Sequence, residues 1–274
     1  VAIPHNSNIS KGYMFSETNL RSEPITAEMA ATRMEWEPVA EITQFKGDSE
    51  THPSLSPDDE FADFETYQHY IQQNAPEYAP VEGDYVRSAL LNGLEIENKI
   101  GANPFAFGVI GSTDSHTGLA SAEEPNFWGK FPRDTTPFGK TAGWRTGAGG
   151  SLGPNGWSMS ASGLAAVWAE ENTRESIFAA FKRREVYGTT GPRIAVRFFG
   201  GWNYDSTAAD ASDIADIGYA GGVPMGGDLT GAPADKAPKF LVRATKDPKS
   251  GNLDRVQIVK GWLGADGDAQ ERVY

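Results

Sequence analysis

The chain has 274 residues, 39% of them hydrophobic and 22% charged, with a net charge of −13, enough for one large domain or two modest ones with a substantial core. The acidic balance, with a pI near 4.8, argues against general affinity for nucleic acid, which rests on lysine and arginine neutralising phosphates. The absence of cysteine excludes disulfides and thiolate metal sites, and no apolar run approaches the roughly 18 residues of a membrane helix.

From the beginning of the chain, "VAI" at 1–3 predicts a short buried strand broken by Pro4, with His5 just past it. "PVAEITQF" at 38–45 alternates as a second strand and runs into "KGDSETHPSLSPDDE", a polar loop crowding Lys46, Asp48, Glu50 and His52. His69, among the aromatics of "FETYQHYI", suits packing better than chemistry. From Asp84 to Lys99 the spacing of Val86, Ala89, Leu90, Gly93 and Leu94 predicts a helix with Asp84 near its N-cap and Gly101 just past its end. "PFAFGVIGSTD" supplies another strand, leading into "GSTDSHTG" at 111–118. If the backbone stays extended there, Asp114 and His116 point the same way and could hold a metal ion together.

Between 118 and 162 the sequence turns to Gly, Pro, Ser and Thr with isolated aromatics, a long aperiodic segment whose rings favour a folded loop over a linker. Periodicity returns after it. Asn172 with Glu175 fits a capping box, Ile177, Phe178 and Phe181 make an apolar face, and Lys182–Arg184 favour the helix dipole at the end. "IAVRFFGGW", "FLVRATKD" and "RVQIVKGWL" then predict a β-rich region over 195–274, with a long loop between its first two strands and a further strand-like run in "QERVY".

The polar residues gather where strands end. In α/β barrels catalytic groups lie at the C-terminal ends of strands, and His5, the Glu50 and His52 pair, and the Asp114 and His116 pair fit that rule. "IPHN" followed by "GSTDSHTG" resembles two motifs of the PHP (polymerase and histidinol phosphatase) superfamily. "IPHNSN", "EITQFKGDSETHP", "SGLAAVWAEENTRESIFAAFKRREVYGTTGPRI" and "NLDRVQIVKGW" resemble one branch of it, domain of unknown function 3604, over nearly the whole chain.

That resemblance implies an α/β fold, part of a distorted (β/α) PHP-type barrel over 1–194, followed by the β-rich region. It implies His5, Asp114 and His116 as metal ligands, and Zn, Mn or Fe as the divalent ions, two or three in the complete site. The superfamily's opening HxH motif and bridging glutamate would precede Val1, which implies a further N-terminal segment of the same protein as a partner. The expected activity is metal-dependent hydrolysis of a phosphate or other ester by metal-bound hydroxide. Lys46, Glu50, His52 and Arg193 are candidates to contact a small anionic or ester substrate, with neither nucleic acid nor membrane as partner. Members of this branch commonly look exported, so the expected location is periplasmic or secreted. The alternatives are a non-phosphate esterase or amidase on the same residues, and a binding or scaffold protein that keeps the fold without turnover.

Overall fold

A computed structural model describes residues 1–71, 76–141, 155–160 and 163–274. Of the aperiodic segment 118–162, residues 142–154 and 161–162 therefore lie outside the described residues.

Helix α1 (Ala27–Trp36) starts at Thr26, whose hydroxyl accepts from the Met29 amide. Strand β1 (Val39–Gln44) follows, then a two-residue turn and the short β2 (Gly47–Asp48), paired Thr43 to Asp48 and Gln44 to Gly47. Gly47 has φ 80°, and a Cβ there would run into the Glu65 carbonyl and Tyr67, so the turn requires glycine. Residues 1–3 do not form the expected buried strand. They are exposed, with the Ala2 amide donating to the Trp36 carbonyl at 2.6 Å and the next residue, Pro4, accepting through its carbonyl from the Glu41 amide at 2.9 Å.

The expected helix after residue 84 is α2 (Val86–Ile100). Asp84 does not cap it. Its carboxylate instead accepts from Gly12, Ser10 and Val81, closing the preceding turn. The buried face is Val86, Ser88, Ala89, Asn92, Gly93 and Ile96, while Leu90 is exposed, so the helix is rotated from the face expected of its leucines. The rotation puts Leu91 against Gly261 near the other end of the chain. Gly101 ends the helix at φ 75°, its amide bonded to the Glu97 carbonyl. Replacing Gly101 with alanine forces a side chain into left-handed backbone, although nothing blocks the space. The expected cost is about 1 kcal/mol by urea denaturation.

Strand β3 (Gly108–Gly111) returns parallel to β1, pairing Val39 to Gly108 and Glu41 to Ile110, which gives a small sheet ordered β2-β1-β3. Phe15, Ala30, Ala40, Val86, Ala89 and Phe105 pack between this sheet and the two helices. Phe15 meets Phe105 edge to face at 5.8 Å, and the Arg33 guanidinium covers Phe105 at 4.9 Å.

Beyond the short helix α3 (Pro137–Thr141), β4 (Leu164–Val167), α4 (Arg174–Lys182) and β5 (Val186–Thr189) follow. Helix α4 is capped by Thr173, one residue after the expected Asn172, with its hydroxyl accepting from the Ser176 amide at 3.3 Å. β4 and β5 pair antiparallel beside β3, with the Gly111 backbone set closely against Leu164 and Thr189.

β6 (Ala195–Gly201), α5 (Ile214–Gly221), β7 (Gly222–Pro224) and β8 (Lys239–Thr245) form a second three-stranded sheet, ordered β7-β6-β8, with α5 across it. Helix α5 lies in what the sequence suggested was loop, its Gly218 set under the Phe199 ring. The last hairpin, β9 (Val259–Leu263) with β10 (Ala269–Val273), returns to α2, where Glu95 Oε1 accepts from the Ala269 amide at 2.8 Å.

The expected PHP-type barrel does not form. The described strands make two three-stranded and two two-stranded sheets, all open. The strand order explains this, because β1 and β3 are the one parallel pair among them and the remaining pairings are antiparallel, with no ring of successive parallel strands to close. Among the described residues no helix is long and apolar enough to cross a membrane.

Candidate functional site

A buried polar cluster lies at the ends of β1 and β3. Lys46 is the second residue of the β1–β2 turn. Its amide and its Nζ both donate to Gln44 Oε1 at 3.0 Å, and its carbonyl accepts from Asn8 Nδ2 at 2.8 Å. These bonds hold the ammonium, 3% exposed as a side chain, facing the loop after β3.

That loop delivers Asp114. The backbone leaves the extended region before it, and Asp114 has φ 56°, a left-handed conformation that aspartate tolerates better than most residues. The expected extended alternation of Asp114 and His116 is therefore broken. The carboxylate turns inward and takes ion pairs through the same oxygen from Lys46 and Lys130, while His116 stays half-exposed. Lys130 comes from the aperiodic segment and was not singled out in the sequence. The His116 amide donates to the Lys130 carbonyl, and Lys130 Nζ donates to the Asp114 carbonyl, both at 2.8 Å. His116 Nδ1 lies 2.9 Å from that same carbonyl. Nδ1 also lies 3.3 Å from Lys130 Nζ. The carbonyl only accepts and the ammonium only donates, and the shorter contact, to the carbonyl, favours the hydrogen on Nδ1 and leaves Nε2 as the basic nitrogen. The Phe131 ring, 5.0 Å away between centroids, flanks the imidazole.

Burial pushes the Asp114 carboxyl up, but the hydrogen bonds and charges of Lys130 and Lys46 outweigh it and hold the group below the usual range. For Lys130 burial dominates. Together with the Lys46 charge, and against the Asp114 carboxylate, it brings the ammonium down from 10.5 to about 8. The folded value lies below the unfolded one, so folding sheds this proton and stability rises with pH from about 8 to 10.5. In lysine side-chain carbon NMR, one resonance should titrate near pH 8 and disappear in Lys130→Met. A full set of lysines titrating near 10.5 would contradict this reading.

The other candidates lie elsewhere. Glu50 accepts from Arg87 Nη2 at 2.5 Å. His52 lies tilted against the Tyr85 and Tyr78 rings, with Nδ1 2.9 Å from Ser54 Oγ, and burial lowers its pKa. Arg193 is exposed, and its backbone amide donates to Asp247. His5 is exposed beside β1, between Pro4 and Asn6, whose backbones bond to Glu41.

The expected metal-ligand cluster is not assembled. Among the described residues no three His, Cys, Asp or Glu side chains come together as a group that could hold a metal ion. The charges give the reason. Asp114 is bound by two ammonium groups, which repel a divalent cation. As arranged, these residues do not fit the ions that the resemblance implies.

The model of one protein family, described as a protein of unknown function (DUF3604), matches residues 1–274. The chain belongs to this family. No curated protein and no solved structure matches it. The DUF3604 match does not extend to a metal motif or to the PHP superfamily, so the chemistry of this DUF3604 chain has to be argued from the lysine and aspartate cluster itself.

Proposed function

We propose that this protein is a hydrolase of a phosphate or other anionic ester, acting at the cluster of Lys46, Asp114, Lys130 and His116. The observation that supports this best is the convergence of two buried ammonium groups on one carboxylate in a chain of net charge −13. Two positive charges against one negative leave a local excess of positive charge that the anionic oxygens of an ester balance. In this reading Lys46 and Lys130 bind and polarise the ester, and Asp114 keeps both ammoniums in place. His116 Nε2 takes a proton from the attacking water as the new bond to phosphorus or carbon forms. It then gives the proton to the departing ester oxygen as that bond breaks. No step is routed through a metal ion.

The test is a panel of a chromogenic phosphate monoester, a phosphodiester and carboxylic esters, each run with and without added zinc or manganese. Turnover of a charged ester that is lost in His116→Ala supports the reading. No turnover of any substrate under either condition overturns it and leaves a binding or scaffold role.

A further inference from the structure

Gln44 carries a polar atom that the cluster leaves unused. The residue ends β1 and is 1% exposed. Its Oε1 accepts from both the amide and the Nζ of Lys46, and both are donors, so the amide orientation is forced, since the flipped form would set N–H against N–H. Nε2 is thereby left buried without a hydrogen-bond partner. An unsatisfied donor at such depth carries its full desolvation cost unless something supplies an acceptor. Beside it, Lys46 Nζ directs two of its hydrogens to Gln44 Oε1 and Asp114, leaving a third. The two side chains are joined through Gln44 Oε1, so an unpartnered amide N–H and an ammonium lie on neighbouring groups, and the amide lacks an acceptor.

We propose that Gln44 Nε2 and Lys46 Nζ form an oxyanion subsite for a phosphoryl group, with Gln44 as the residue that selects it. This rests on the anionic-ester reading of the cluster. A carboxylate presents two oxygens in a plane, whereas a phosphoryl group presents three at tetrahedral angles, enough for Lys46, Lys130 and Gln44 together. The phosphoryl oxygen that meets Gln44 supplies the missing acceptor.

The probe is inorganic phosphate, with acetate for comparison, followed by calorimetry and by the side-chain amide resonances of Gln44. Phosphate should bind the parent more tightly than acetate and shift the Gln44 amide signals. Gln44→Met removes the donor and should weaken phosphate by about tenfold or more, with little effect on acetate. Gln44→Glu keeps the acceptor for Lys46 but turns a carboxylate oxygen toward the anion, and should abolish binding. If either variant fails to fold, the amide shift in the parent decides. No phosphate binding to the parent, an unmoved Gln44 amide, or undiminished affinity in Gln44→Met each overturns the subsite. Phosphate binding that shifts Gln44 without turnover of any ester keeps the subsite and removes the hydrolase reading. Ester turnover with phosphate affinity indifferent to Gln44→Met does the reverse.

Discussion

Replacing Asp114 with asparagine should destabilise the protein by about 3–5 kcal/mol near pH 6, because it leaves two buried ammonium groups facing an amide that balances neither charge. In a chain of this size that is a fall in Tm on the order of 10 °C. The defect has a signed pH dependence. Lys130 already holds its proton less tightly than an ordinary lysine, and without the carboxylate it holds it less tightly still. Raising the pH discharges it and relieves the repulsion, so parent and variant should converge between pH 6 and pH 9. Adding Lys130→Met to the variant should restore much of the loss at pH 6, since one ammonium then remains. His116→Ala is the contrast. Its side chain is 51% exposed, so stability should change by about 1 kcal/mol or less while ester turnover falls roughly 10²- to 10⁴-fold. Thermal melts at the two pH values, run beside the ester assay, separate these effects. An Asp114→Asn protein as stable as its parent at pH 6 would show that the ammoniums do not depend on the carboxylate.

What the sequence made legible was local. Helices α2 and α4 carry apolar spacing and end signals within their own residues, and Gly101 sits where the helix terminates. β1, β3, β6, β8 and β9 stand out as runs of branched and aromatic residues. Pairing was not legible, because a strand's composition does not name its neighbour. The polar ends of β1 and β3 suggested a barrel rim, yet β4 and β5 form a separate antiparallel pair and β6 turns to β8. Helix α5 was hidden by its small residues, with Ile214 buried and Ile217 beside it in the core but glycines at 218, 221 and 222 masking the period. In the candidate site, Lys46 and Asp114 were singled out separately and are joined only by the turn at 45–46 and the left-handed backbone at 114. Lys130 gave no signal of its own, since its place depends on the bond from the distant His116 amide. Gln44 gave none either, since its burial and its bond to Lys46 follow only from the turn.

The second large effect should come from Arg87, which fastens the end of the chain to its beginning. From α2 its guanidinium reaches Asp59 at 2.7 Å, Glu50 at 2.5 Å and Glu271 of β10 at 3.7 Å. The Glu50 side chain is 44% exposed, so its pair adds little in water. The Asp59 side chain is 1% exposed and has most to lose. Burial raises the Asp59 carboxyl, and the Phe61 amide bond and Arg87 more than reverse that, so its folded pKa lies below the ordinary 3.8. A depressed carboxylate stabilises the fold above the unfolded pKa and loses that contribution as pH falls through the folded one. Arg87→Met keeps the stem's packing but strands the carboxylate, at an expected cost of about 3–5 kcal/mol at pH 7. The stranded group then takes up a proton more readily than in the parent. The difference between the two proteins in urea denaturation should therefore shrink as the pH is lowered toward 4. Hydrogen exchange should show where the loss falls. β9 and β10 meet the N-terminal portion through Arg87, the Ser56 to Glu271 hydrogen bond and the Leu91 contact with Gly261. Their amides should lose protection before those of β6 and β8, which are paired within their own sheet. Equal loss of protection across both sheets would mean that the hairpin is not anchored through Arg87.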